Sequence, residues 1–422
     1  MNRIAWLTLF VATVACASES ADSVPDETWV GTITAEGDVT TVVNESGSVW
    51  GGTATLVEEL SIGVELGEEP YMFGSVADVW ATGERIYVVD SGVPVLRVFD
   101  HEGRHVRDIG GRGQGPGEFE MPNAVAVTTD GRILVREGRP GQRTNVYSAD
   151  GEPLDTWQGD PTLSSFSPIT LTYDGDFYSQ TFIYRADDSG DRVIGMGKMG
   201  PDGIDGEPLR FPEFDYEPPI IMFDENRARY VPLVPFVTTV MLPSGALVAG
   251  LSSEYRFTVA RPDGSTMIVE KYWEPIPISD EEAEWHRRQV VASGRRPNPS
   301  FQWDGAEMPD HHPAFGRFLG DRSGRIWVIR RSAVDKVPDC TEDPLDETVT
   351  MIIPCWQVSD TADVFDEATG KFLGEVALPD GVTLGASFIE GDAVYTPIED
   401  EAGTIRVERF RLVLPGDEQP AQ

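Results

Sequence analysis

Five side chains hold the chemistry this sequence offers at any one place: Arg136, Arg330, Arg331, His311 and His312. An arginine presents a planar fork of donors that fits a carboxylate or phosphate with two parallel hydrogen bonds. An imidazole adds a donor or acceptor that titrates near neutral pH. Together they would form a local positive patch, suited to a small anionic ligand, on a chain that is otherwise strongly acidic. Asp and Glu total 71 against 33 Lys and Arg, for a formal net charge of −38. The same arginines have a structural use, pairing with neighbours such as Asp90 and Glu137 to hold sheets together. Asp310–His311–His312 brings two imidazoles side by side, but adjacent histidines do not converge on one ion. Only His286 could approach as a third, so no metal site is expected. Asp187–Asp188–Ser189–Gly190–Asp191 is rich in oxygen ligands without the EF-hand spacing and reads as a solvated turn. No G-x-S-x-G, H-E-x-x-H or P-loop pattern occurs, and no cofactor is expected.

The three cysteines separate by position. Cys340 and Cys355 flank a Pro-, Asp- and Thr-rich stretch and are expected to form a disulfide that staples a long surface hairpin. Cys16 belongs to the N-terminus: Met1–Asn2–Arg3 is a short positive start, Ile4 to Val14 an apolar run, and Ala15–Cys16–Ala17 a small-residue site, the layout of a secretory signal peptide over residues 1–17. Thr13–Val14–Ala15–Cys16 resembles a bacterial lipobox, with Thr13 departing from its usual aliphatic residue, and makes Cys16 a lipid anchor. Ala15–Cys16–Ala17 alternatively fits plain signal-peptidase cleavage. Residues 18–50 are rich in Ser, Thr, Gly, Glu and Asp and are expected to be a flexible tether, with an edge strand within Thr28–Thr41 as the other reading. Residues 416–422 are expected to be a disordered tail.

Charge and composition exclude several classes. Nucleic-acid binding needs a basic footprint that this chain lacks. A polybasic lipid contact fails for the same reason, leaving the N-terminal lipid as the only membrane attachment. With 40% hydrophobic residues there is enough apolar material for a packed core.

The core's organisation is visible as a repeat. Thr82–Gly83–Glu84–Arg85–Ile86–Tyr87–Val88, Thr129–Asp130–Gly131–Arg132–Ile133–Leu134–Val135 and Arg322–Ser323–Gly324–Arg325–Ile326–Trp327–Val328 each join a Gly turn to an apolar strand. Weaker copies lie around Gly175, Gly245 and Gly391. A tight turn requiring positive φ favours Gly between such strands. Second turns follow at Gly103, Gly151, Gly203, Gly264 and Gly370. Gly83 to Gly103 and Gly131 to Gly151 are each 20 residues apart, room for two middle strands, so each unit is a four-stranded antiparallel meander. The last unit, through Thr404–Val413, lacks one strand, and Leu56–Ile62 is expected to supply it. The expected fold is an all-β, six-bladed β-propeller over residues 51–415, closed by an N-terminal strand. One short helix, opened by Ser279–Asp280–Glu281–Glu282 as a capping box and stopped at Gly294, interrupts it. In such a ring the ends of the second strands bring Arg136, Arg330 and Arg331 to one mouth of the central channel.

Gly113–Gln114–Gly115–Pro116–Gly117–Glu118–Phe119, Pro122, Val125–Ala126–Val127 and Asp130–Gly131–Arg132 together resemble the NHL-type repeat, and Val95–Asp100 matches its third strand. The likeness is close over residues 71–155 and diluted to 413; the third and fourth units lack the glycine-rich stretch. More narrowly, the chain resembles exported six-bladed β-propeller proteins of bacteria. That resemblance implies a fold and a binding scaffold rather than one activity. The function expected is an exported, lipid-anchored, monomeric, non-enzymatic scaffold for a protein, peptide or small anionic ligand. The rival class is a hydrolase or lyase working at the channel mouth.

Overall fold

The computed structural model describes residues 28–138, 143–164, 168–184, 192–303, 307–346, 351–400 and 402–417. The leader with Cys16, the Asp187–Asp191 turn and most of the tail lie outside the described residues.

The chain opens with β1 (Val30–Glu36), β2 (Val39–Ser46) and β3 (Thr53–Ile62). A first sheet follows, β4 (Val76–Ala81), β5 (Ile86–Asp90), β6 (Val95–Phe99) and β7 (His105–Ile109), all antiparallel neighbours. The second repeats it with β8 (Pro122–Val127), β9 (Ile133–Glu137), β10 (Thr144–Tyr147) and β11 (Pro153–Trp157). The third is less regular: β12 (Thr170–Leu171), β13 (Phe177–Tyr184), β14 (Arg192–Gly200), β15 (Gly203–Ile204) and β16 (Leu209–Arg210). A separate hairpin, β17 (Ile220–Asp224) and β18 (Arg227–Tyr230), precedes the fourth sheet, β19 (Val237–Met241), β20 (Leu247–Leu251), β21 (Arg256–Ala260) and β22 (Thr266–Lys271). After helix α1 (Asp280–Arg295) come β23 (Arg317–Gly320), β24 (Arg325–Lys336), β25 (Trp356–Asp366) and β26 (Phe372–Ala377), then β27 (Phe388–Glu390), β28 (Ala393–Glu399) and β29 (Ile405–Val413).

The Gly turns form as their sequence demands except at Gly83, which does not take a positive φ. In the second sheet the Gly131 N–H donates to Thr128 O at 2.9 Å and the Thr128 N–H to Arg132 O at 2.9 Å, with Gly131 at φ 84°. That is a left-handed conformation that a side chain resists. In the first two sheets the middle strands are buried on both faces and are continuous runs, whereas β13 and β21 alternate. Ile86, Val88 and Val89 are all fully buried, as are Ile133, Leu134 and Val135. Among the described residues, cores between sheets lie around Phe99 and Phe119, around Phe257 and Phe365, around Trp327 and Phe410, and around Met196 and Met241.

The two chain ends meet. β3 pairs antiparallel with β29 in a register that sets Val57 opposite Arg411 and Leu60 opposite Arg409. Its first residues also pair in parallel with β26, Thr53–Thr55 against Glu375–Ala377, fusing the last two sheets into one of eight strands.

The tether expected over 18–50 is corrected from residue 30 onward. β1 and β2 form a hairpin, and β2 adds in parallel to the outer edge of β22, Val39 opposite Thr266 through Asn44 opposite Lys271. The Val–Thr-rich stretch Val39–Val43 has the β-branched composition of a strand, and buried Asn44 clamps it. The Asn44 amide donates to Glu270 O at 3.0 Å and Gly370 O at 3.2 Å, while its oxygen accepts from Trp29 Nε1 and the Phe372 N–H, both at 2.7 Å.

Helix α1 starts where expected: the Ser279 side chain accepts from the Glu282 N–H at 3.1 Å. The reciprocal half of a capping box is replaced, since the Glu282 carboxylate goes to His312 instead. The helix also runs one residue past Gly294, whose role is close approach. A Cβ there would come within 2.3 Å of the Phe301 ring. α1 packs with the β17–β18 hairpin around Ile221, Val231, Val290, Val291 and Phe301. The disulfide Cys340–Cys355 closes the β24–β25 hairpin across a sequence separation of 15 residues.

Candidate functional site

The five expected residues divide. Arg136, at the end of β9, is 2% exposed. Its Nη1 donates to Ser179 Oγ of β13 and its Nε to Asn123 Oδ1 at 3.4 Å, while Asp78 of β4 provides the nearby negative charge. Burial lowers the Arg136 guanidinium to about 10, with Asp78 pulling the other way. Asp78 itself is pushed up to about 7 by burial. The Val125 and Val79 N–H groups, at 2.9 and 3.0 Å, and then Arg136, only partly offset that rise. This side chain therefore ties the first three sheets together.

Arg330 and Arg331, on β24, face a different part of the molecule. Arg330 Nε donates to Asp363 Oδ2 at 3.1 Å, Nη2 to Glu375 Oε2, and Nη1 to Arg331 O at 3.3 Å. The same Asp363 oxygen accepts from Tyr255 Oη at 2.6 Å and Lys271 Nζ at 3.0 Å, so a fully buried carboxylate joins the fourth and fifth sheets. Burial works against the Arg330 charge, but Asp363, then Tyr255 and Glu375, more than offset it and raise its pKa. The Tyr255 hydroxyl is raised by burial and by Asp363.

Arg331 Nη1 donates to His312 Nδ1, which fixes that nitrogen as an acceptor. Nε2 then carries the proton and donates to Glu282 at 3.1 Å. His312 is 2% exposed and Glu282 3%. Burial alone would raise the Glu282 carboxyl; the hydrogen bond from His312 and the His286 ring, whose Nε2 lies 3.8 Å away, outweigh it and hold the group at about 2. Burial also lowers Arg331, against the pull of Asp360 directly opposite on β25 and of Glu282. His311 is exposed and pairs through its backbone with Pro277. Arg330, Arg331 and His312 are thus brought together, Arg136 is held in a separate network, and the guanidinium groups are engaged by neighbours.

Beside Arg330 and Arg331 runs a cleft of about 500 Å³ whose other walls are Lys271–Pro277 and Pro313–Ala314. Its aromatic and proline content went unread in the sequence. Tyr272 is 76% exposed, and Trp273 lies half-buried against the fourth-sheet core. The Tyr-Trp-Glu-Pro-Ile-Pro run from Tyr272 to Pro277 was the available signal. A second space, of about 150 Å³, is lined by strands of several sheets. β4, β8, β12, β19, β23 and β27 each contribute to its lining. Among the described residues no group of three or more His, Cys, Asp or Glu is arranged to hold a metal ion, and no helix is long and apolar enough to cross a membrane.

A sequence family described as DUF5128, 6-bladed beta-propeller, matches residues 68–189. No curated protein matches the chain. Among solved structures, a DUF4221 family member from Bacteroides vulgatus is 12% identical, covers 86% of this chain and 99% of its own, and superposes with a TM-score of 0.46. A Bacteroides fragilis protein named as exported is 10% identical, with 88% and 99% covered and a TM-score of 0.44. Virginiamycin B lyase from Staphylococcus aureus is 8% identical, with 84% and 98% covered and a TM-score of 0.40. The family match, set beside the succession of four-stranded antiparallel sheets, makes this chain a β-propeller protein.

Proposed function

We propose that this protein is an exported, lipid-anchored propeller of six blades that works as a non-enzymatic binding protein, taking an extended peptide in the Tyr272–Pro277 cleft. Support for the ring comes from the β3–β29 pairing and from the contribution of six innermost strands to one central space. Support for export comes from the leader-like residues 1–17 and from a disulfide, a bond that persists in oxidising compartments. The observation that carries the ligand class is the cleft wall. Arg330, Arg331 and Lys271 are already paired with Asp363, Glu375 and His312. What faces outward is the Tyr272 ring with Pro275, Pro277 and Pro313 alongside. Aromatic and proline surfaces suit an extended, low-entropy backbone better than a lone anion, which would need an unpaired guanidinium.

Panning a random-peptide library against the purified full chain, in parallel with the Tyr272→Ala/Trp273→Ala variant, tests this reading. Enriched peptides should bind the native protein and lose at least tenfold in affinity with the double variant, about 1.4 kcal/mol. Failure to enrich any binder, or binders indifferent to both rings, would overturn it.

A further inference from the structure

The central space is independent of the cleft and has its own chemistry. Arg322, which follows β23, is part of its lining and reaches three other sheets. Its Nη1 donates to Leu171 O at 3.0 Å, its Nε lies 3.6 Å from Glu390, and its guanidinium sits 5.5 Å from the Trp80 ring centre and 5.6 Å from that of Tyr173. Its backbone N–H adds a bond to Ile389 O at 3.0 Å. The rest of the lining is mostly apolar and includes Leu171, Met241 and a Trp80–Phe388 ring pair whose centroids are 4.8 Å apart. Asp78 is the one carboxylate in the lining.

We propose that this cavity binds a small organic cation, a primary amine on a compact apolar body, with Asp78 as counter-ion and the Trp80–Phe388 pair as the surface beneath it. Size limits the occupant: a cavity of about 150 Å³ lined by Leu, Ile and Phe accommodates a benzene-sized body, so about six to eight heavy atoms fit here. Asp78 can take the ammonium because each of its oxygens accepts only one of the two backbone N–H groups that reach it, and a carboxylate offers about four acceptor sites. Ring faces attract cations, and Trp80 already receives one from Arg322. Of the two cations near Asp78, Arg322 is held by Leu171 and Glu390, and Arg136 donates to Ser179 and Asn123. A net charge of −38 raises the local concentration of cations over anions.

Calorimetric titration of the full chain with benzylammonium, benzyl alcohol and benzoate tests the assignment. Benzylammonium should bind saturably, at least tenfold tighter than the alcohol or the acid. It should lose at least tenfold with Asp78→Asn, and its ring protons should show intermolecular NOEs to the Met241 methyl group. Absence of saturable binding, equal binding of the three probes, NOEs to other residues only, or an unchanged affinity in Asp78→Asn would each overturn it. If Asp78→Asn does not fold, Leu171→Trp, which fills the cavity and keeps the carboxylate, decides the matter: lost binding supports the site and retained binding refutes it.

Discussion

Replacing Glu282 by Gln keeps the shape of a buried side chain and removes only its charge, which isolates the Arg331–His312–Glu282 chain. In the folded protein the carboxyl sits at about 2, against an ordinary 4.5, because the two imidazoles beside it, His312 hydrogen-bonded and His286 at 3.8 Å, outweigh burial. A depressed carboxyl pKa stabilises the fold fully above the unfolded value and loses that contribution as pH falls toward the folded one. The gap corresponds to about 3 kcal/mol at pH 7, with less than half remaining by pH 3. Urea unfolding of native and Glu282→Gln protein at several pH values between 7 and 3 reads this directly. The variant should be less stable by about 3 kcal/mol at neutral pH, and the two curves should converge in acid. A difference below 1 kcal/mol at pH 7, or one that stays constant with pH, would refute the claim that the carboxylate is held ionised by these histidines.

Asp78 should behave in the opposite sense. Burial raises its folded pKa to about 7, so its ionisation costs stability as pH climbs from about 4 to 7. Asp78→Asn should therefore gain on the native protein across that window in thermal melts, and a parallel pair of curves would contradict the assignment. Asp363→Ala leaves Lys271 and Arg330 without their shared buried partner, and equilibrium unfolding should register a loss of about 3–5 kcal/mol, far above that of an exposed ion pair. Reducing Cys340–Cys355, or replacing both by Ser, should cost about 3 kcal/mol in the chain-entropy account, read from the denaturant midpoint.

Local chemistry made much of this fold legible. The Gly turns declared themselves because the left-handed φ at Gly131, Gly175 and Gly245 leaves few residue choices. Helix α1 announced its start through Ser279, and the cysteine pair because setting Cys16 aside leaves only Cys340 and Cys355. The missing strand of the last unit pointed to Leu56–Ile62, and β3 does lie against β29. Non-local partners were hidden. The N-terminal hairpin looked like a tether because its docking depends on Asn44 meeting Glu270 and Gly370, carbonyls more than 200 residues away. The β17–β18 hairpin was missed because its buried face is completed by α1 and Phe301. The five residues expected to bind a ligand were chosen by residue type and place in the repeat, and their partners could not be read that way. Asp363 for Arg330, Ser179 for Arg136 and Glu282 for His312 come from other sheets or from the helix. The cleft escaped notice because exposure of Tyr272 is a property of packing, not of composition.

The proposed ring, and with it the proposed cleft and cavity ligands, rests on β3 completing the last sheet. Val57→Cys with Arg411→Cys places two thiols on directly opposed residues of β3 and β29, within reach of a disulfide. Peptide mapping of the oxidised protein by mass spectrometry should recover that cross-link in nearly all molecules, while Val57→Cys paired with Arg132→Cys on the second sheet should give none. Recovery of neither bond, or of both equally, would mean that the N-terminal strand does not complete the last sheet and that the cleft and the central cavity have been drawn on the wrong frame.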